Sequence, residues 1–119
     1  MSTGDEAAAS HTATCVRIKL KPGSLPRVRQ WAEQLNARRG EALRTLDAEG
    51  VSIESVFLDS AADGDYLVYY MRTASVEHAR AVAARSTDEI DRYHQAFKRD
   101  TWEQARRLEL LIDLTAPGC

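Results

Sequence analysis

From Cys15 to Leu20 the chain alternates, with Val16, Ile18 and Leu20 on one side and Cys15, Arg17 and Lys19 on the other. A period of two predicts a half-buried strand, and Pro22-Gly23 ends it. The pattern then shifts to helical spacing, with Leu25, Val28, Ala32, Leu35, Leu43 and Leu46 forming one stripe. Ser24 reads as the N-cap, Pro26 sits in the first turn, Gly50 closes the helix, and Arg39-Gly40 interrupts it. "VSIESVFLD" and "DYLVYYMRT" are two further strands joined by an Asp-Gly turn, hence an antiparallel hairpin. A second helical region begins at Ser75, jumps at Arg85-Ser86, and resumes through "DEIDRYHQAFKRDTW" (residues 88 to 102). "RLELLIDLT" reads as the last strand, with Leu108, Leu110, Ile112 and Leu114 on one face.

The order is βαββαβ, which predicts a ferredoxin-like α+β fold: a four-stranded antiparallel sheet with the helices on one face. Simple alternation puts Val16, Ile18, Leu20, Val51, Ile53, Ser55, Phe57, Tyr66, Val68 and Tyr70 on the helix-covered face, with the last strand's aliphatic row. The other face receives Arg17, Lys19, Glu54, Val56, Leu58, Leu67, Tyr69, Met71, Glu109, Leu111 and Asp113. That face is half apolar, so a sheet-on-sheet homodimer is expected to cover it, with Arg17 and Lys19 pairing to Glu109, Asp113 or Glu54. The divisions are a disordered N-terminal tail over 1–13, one domain over 14–115, and a C-terminal tail over 116–119.

The 119 residues suffice for one modest core. A net charge of −2, with acids interleaved among the bases, argues against a nucleic-acid partner. No apolar run approaches the roughly 20 residues that span a bilayer, so no membrane partner is expected. The opening residues lack the basic and apolar regions of a signal peptide, which predicts a cytoplasmic protein with reduced thiols. The two cysteines and three histidines offer no metal-ligand spacing, and the glycines form no phosphate loop; no metal or cofactor is expected.

Several stretches resemble the dimeric α/β-barrel superfamily. "VRIKLKPGSLPRVRQWAEQL" and "YLVYYMRTASVEHARAV" are similar to its antibiotic-biosynthesis monooxygenase branch. "EGVSIESVFL", "GDYLVYYM" and "YHQAFKRDTW" resemble an uncharacterised family of small proteins within that superfamily. The resemblance spans about residues 14 to 115 and implies a ligand cavity between sheet and helices. The superfamily includes cofactor-free oxygenases, lactone isomerases, polyketide cyclases and haem-degrading enzymes, so fold alone does not select a reaction. The second helical region here is longer than in the monooxygenase branch, and His94 has no clear counterpart there.

Candidate chemistry converges on that implied cavity. His94 lies on the apolar stripe of its helix, four residues after Ile90 and three before Phe97, and is the candidate acid–base group. Tyr70 is the candidate donor to a developing oxyanion, and Asp91 the candidate to orient the imidazole. Tyr66, Ser55, Phe57, Trp31, Arg39, Phe97 and Trp102 are the candidate substrate contacts. Haem has some support in a helix histidine over a sheet, but no basic cluster would serve its propionates. Two readings stand. One is a cofactor-independent monooxygenase, cyclase or isomerase acting on a small aromatic or polyketide-like metabolite. The other is a non-catalytic dimeric small-molecule-binding or scaffold module, in which His94 is a hydrogen-bonded core residue.

Overall fold

A computed structural model describes residues 11–117. Strand β1 (Thr12–Leu20) is followed by helices α1 (Leu25–Ala37) and α2 (Arg39–Glu49), then by the hairpin of β2 (Val51–Ala61) and β3 (Gly64–Thr73). Helices α3 (Val76–Arg85) and α4 (Glu89–Thr101) lead into β4 (Trp102–Arg107). All pairings are antiparallel, in the order β2-β3-β1-β4, which is the ferredoxin-like sheet with each helical connection split in two.

The splits have local causes. Arg38, between α1 and α2, leaves helical geometry at φ −106° and ψ 40°, and its guanidinium holds Glu41 through bonds of 2.7 and 3.0 Å. Ser86 is extended and its hydroxyl accepts from the Asp88 amide, which restarts the chain before α4. Ser75 caps α3 by accepting from the His78 amide at 3.1 Å. Gly50 ends α2 at φ 74°, a left-handed turn that favours glycine. Ser24 differs from expectation: its hydroxyl donates to the Lys21 carbonyl instead of capping α1.

The faces of two strands are inverted relative to simple alternation. Val16 pairs with Tyr69 and Ile18 with Leu67, so Leu67, Tyr69 and Met71 turn toward the helices with β1's apolar row. On β2, Glu54 lies opposite Met71 and Val56 opposite Tyr69, which brings Glu54 and Val56 to the same side. Tyr66, Val68, Tyr70, Ile53, Ser55 and Phe57 therefore sit on the opposite face, contrary to expectation. A register shift between Val51 and Ile53 is one reason: Val51 stays buried while every later residue of β2 changes sides. On β3 both alternating rows are apolar or aromatic, so the pattern alone cannot choose between them.

The core gathers Ile18, Leu20, Val28, Trp31, Leu67, Tyr69 and Phe97, with Val16, Ala32, Leu35, Val56, Tyr93 and Trp102 packed against it. On the open face Arg17 stacks 3.5 Å over the Tyr66 ring and pairs with Asp59 at 3.1 Å. Glu54 is unavailable there, and Asp113 pairs with Arg72 rather than with Arg17 or Lys19.

The last strand is displaced. Trp102 belongs to β4, opposite Leu20, and not to the preceding helix. The strand ends at Arg107, so the aliphatics expected on its helix side lie beyond it; Leu110, Leu111, Ile112 and Leu114 are 52 to 86% exposed. Thr12 and Ala13, expected in the N-terminal tail, already form β1; the rest of that tail, bar His11, lies outside the described residues. No helix among the described residues is long and apolar enough to cross a membrane.

Candidate functional site

A cavity of about 440 Å³ lies between the helix-side face of the sheet and the helices. Its inner wall is aromatic. Trp31 on α1 stacks on Phe97 at 4.4 Å between centroids, with the planes 4° apart, and lies 5.6 Å from the His94 ring. Tyr69 meets Trp102 edge-on at 5.4 Å. Trp31, Tyr69, His94 and Trp102 all line the cavity; Phe97 is fully buried behind them and does not.

The state of His94 follows from one bond. The Trp31 indole N–H donates to His94 Nδ1 at 3.0 Å, so Nδ1 must carry its lone pair and the neutral ring holds its proton on Nε2. Burial, with Lys98 as a second cause, pushes the imidazole pKa down to about 3. Near neutrality His94 is therefore an N–H donor and not the proton acceptor that its position in the sequence favours. The orienting partner is Trp31; Asp91 lines the cavity but makes no hydrogen bond to the ring among the described residues. Trp31→Phe keeps a ring against Phe97 and removes the bond. Nitrogen NMR is expected to show protonation confined to Nε2 in the natural chain and a mixture of tautomers in the variant. A natural chain protonated on Nδ1 contradicts the assignment.

Acid–base capacity comes from carboxyls instead. Glu54, at the inward position left by the β2 register shift, is half-buried, and its pKa is raised by desolvation against an opposing pull from Lys98. Glu49, at the end of α2, is pushed up to about 7, chiefly by desolvation and then by the charges of Asp91 and Glu54. The Glu54 charge is one of the causes that raise Glu49, whose pKa of about 7 lets it hold or release a proton near neutral pH. Burial keeps the Lys98 ammonium pKa below its usual value while both glutamates pull it upward. Burial raises the Tyr69 phenol, with the Glu54 charge adding to the shift, so it stays a neutral donor. The Tyr69 hydroxyl and the Trp102 indole N–H are buried without a hydrogen-bond partner among the described residues. Such groups cost about 1–3 kcal/mol each when unpaired, which makes them candidate ligand contacts.

Of the residues singled out from sequence, His94, Trp31, Arg39 and Trp102 come together at the cavity. Tyr70, Tyr66, Ser55 and Phe57 do not. Tyr70 accepts from Arg72 Nε on the far face, and Tyr66 donates to Asp63 Oδ2 at 2.6 Å. Glu49, Glu54, Tyr69 and Lys98 were missed as site residues, since their signal in the sequence is an ordinary charged or aromatic residue at an ambiguous alternation. No group of three or more histidines, cysteines or carboxylates among the described residues could hold a metal ion.

This sheet, with its helix-covered cavity, defines a ferredoxin-like α+β fold, which the solved structures below share. The chain belongs to a family of unknown function, DUF6176, whose model matches residues 11–117. Three solved structures share the fold. An L-rhamnose mutarotase from Formosa agariphila superposes with a TM-score of 0.60 at 19% identity, covering 87% of this chain and 99% of that one. A nipsnap family protein of unknown function from Agrobacterium tumefaciens gives 0.57 at 16%, covering 90% and 92%. An antibiotic-biosynthesis-monooxygenase-like protein from Bacteroides thetaiotaomicron gives 0.55 at 11%, covering 94% and 96%. A sequence search of curated proteins finds no match.

Proposed function

We propose that this protein is a cofactor-independent isomerase-type enzyme that moves a proton on a small ring metabolite bearing a hydroxyl or carbonyl group. The observation that carries this reading is the meeting of two carboxyls of raised pKa, Glu49 and Glu54, with neutral donors in one aromatic-walled cavity. Glu54, whose charge Lys98 favours against the desolvation that raises its pKa, takes a proton from the substrate carbon next to a carbonyl. The C–H electron pair becomes the C=C bond of an enolate, and the carbonyl π pair moves onto oxygen. The His94 Nε2–H and the Tyr69 O–H donate to that oxygen. Glu49 returns a proton at the second site, and the two carboxyls then exchange their extra proton through solvent. The flat walls of Trp31 and Trp102 suit a ring, in keeping with an aromatic or polyketide-like substrate. Ring opening and closure of a sugar hemiacetal needs the same pair, one group accepting the hydroxyl proton and one protonating the ring oxygen. The mutarotase neighbour makes sugars a natural second arm of the test.

The protein is also proposed to self-associate through the open sheet face, where Phe57 is 61% exposed beside Ile53, Val68 and Tyr70. Proton NMR in deuterium oxide, with a panel of enolisable aromatic ketones, lactones and reducing sugars, tests the catalytic reading. Accelerated exchange at one carbon, or accelerated anomer interconversion, is the expected result. Saturable binding with no acceleration for any member would instead make the chain a binding module.

A further inference from the structure

The chain carries thirteen arginines and only three lysines. Lys19, on β1, shares the open sheet face with Arg17, and Lys21 donates to the Arg99 carbonyl at 3.0 Å. The third, Lys98, stands in the wall of the cavity. An arginine there would supply a permanent positive charge. A lysine supplies that charge and can also become a neutral amine, which is a nucleophile.

Lys98 follows His94 by one helical turn on α4, so both side chains face the same space. Its Nζ lies 4.9 Å over the Trp102 ring, against the apolar part of the wall. Among the described residues that nitrogen makes no ion pair or hydrogen bond. The charged groups around it come from four elements. Burial, the largest influence, and Arg80 on α3 disfavour the ammonium; Glu54 on β2, Glu49 on α2 and Asp91 on α4 favour it. The net effect moves Lys98 toward the neutral amine relative to an exposed lysine.

We propose that Lys98 Nζ is a nucleophile that joins an aldehyde or ketone substrate to the chain as an imine inside the cavity. The ammonium lends a proton to a neighbouring carboxylate. The Nζ lone pair attacks the carbonyl carbon while the carbonyl π pair moves onto oxygen, which takes a second proton from the nitrogen. The carboxyl then returns the lent proton to that oxygen, water leaves, and the nitrogen lone pair closes the C=N bond. Ammonium and carbonyl thus give an iminium and one water, with no change of charge and no oxidant or reductant. The use of this adduct rests on the proton transfer proposed above. When Glu54 takes the neighbouring C–H proton, that electron pair forms C=C and the C=N π pair settles on nitrogen, a stronger electron sink than a carbonyl oxygen held by neutral donors. Glu49 reprotonates carbon, and water releases the product and restores the ammonium. The substrate class narrows to ring metabolites with a free aldehyde or ketone, ahead of lactones.

Sodium cyanoborohydride reduces an iminium to a permanent secondary amine, so the full chain treated with it and 4-hydroxyphenylacetone or 4-hydroxybenzaldehyde supplies the test. Peptide mass mapping is expected to find the adduct on Lys98 about tenfold or more faster than on Lys19 or Lys21. Lys98→Arg keeps the positive charge beside Glu54, so a purely electrostatic role would survive it. The expected result is instead that deuterium exchange into the ketone falls about 100-fold, the scale of a lost catalytic group. An unlabelled Lys98, or labelling spread evenly over the three lysines, overturns the proposal. If the natural chain still accelerates carbon exchange in that case, the proton transfer stands on His94 and Tyr69 alone. An adduct on Lys98 without carbon exchange keeps the imine and removes the proton transfer. Should Lys98→Arg fail to fold, the labelling pattern of the natural chain decides by itself.

Discussion

Glu54→Gln is expected to slow the proton transfer by about 10²- to 10⁴-fold, the range general acid–base catalysis supplies, while the fold persists. The glutamine keeps the size and a hydrogen-bonding oxygen beside Lys98 but cannot accept the substrate proton. Glu54 is raised by desolvation, so folding opposes its ionisation; removing the charge should leave stability equal or higher near neutral pH. It should also let Glu49 ionise more readily, because the Glu54 charge is one of the causes that hold the Glu49 pKa near 7. The acidic limb of the pH–rate profile and the Glu49 carboxyl shift in carbon NMR measure this. A loss of activity below about threefold places the base elsewhere.

The second large effect is on stability against pH. His94 has its folded pKa depressed, from 6.5 to about 3. Below pH 6.5 the unfolded chain takes up a proton that the folded chain refuses, so stability is lost progressively as pH falls from 6.5 to 3. The full loss is about 5 kcal/mol. Glu49 works in the opposite sense. Its folded pKa is raised from 4.5 to about 7, so the folded chain holds a proton that the unfolded chain releases. Stability therefore rises as pH falls from 7 to 4.5, by about 1–2 kcal/mol after allowance for a half-solvated group. The two trends partly cancel between pH 6.5 and 4.5, and below that range the His94 loss runs unopposed by Glu49. His94→Gln retains an acceptor for the Trp31 indole and cannot charge. Urea unfolding of both chains across pH 3 to 7 should give curves that diverge steadily below pH 6.5. A constant gap between them contradicts the burial of a neutral imidazole.

The legible parts of this protein are those written in local chemistry. The helix breaks at Arg38, one residue before the expected Arg39-Gly40, and at Ser86, the Ser75 cap, the Gly50 turn and the inward phase of β1 each depend on a few neighbouring residues. His94 was visible for the same reason, as a polar-tipped residue on an apolar stripe, and Trp31 as an aromatic residue on the first helix. Their partnership was not, because 63 positions separate the two residues and no local rule joins an indole to an imidazole across two helices.

The sequence by itself determined the order of elements, the ferredoxin-like topology and a histidine within the core, because periodicity and turn chemistry act over short spans. Tertiary structure decided which face of β2 and β3 meets the helices. One extra residue near Val51 reverses β2, and on β3 pairing with β1 chooses between two rows of equal hydrophobicity. That choice moved the chemistry from Tyr66, Tyr70 and Ser55 to Glu54 and Tyr69. The displacement of β4 to Trp102–Arg107 left Leu110, Leu111, Ile112 and Leu114 in the open, where a strand pattern without a neighbouring strand does not form sheet.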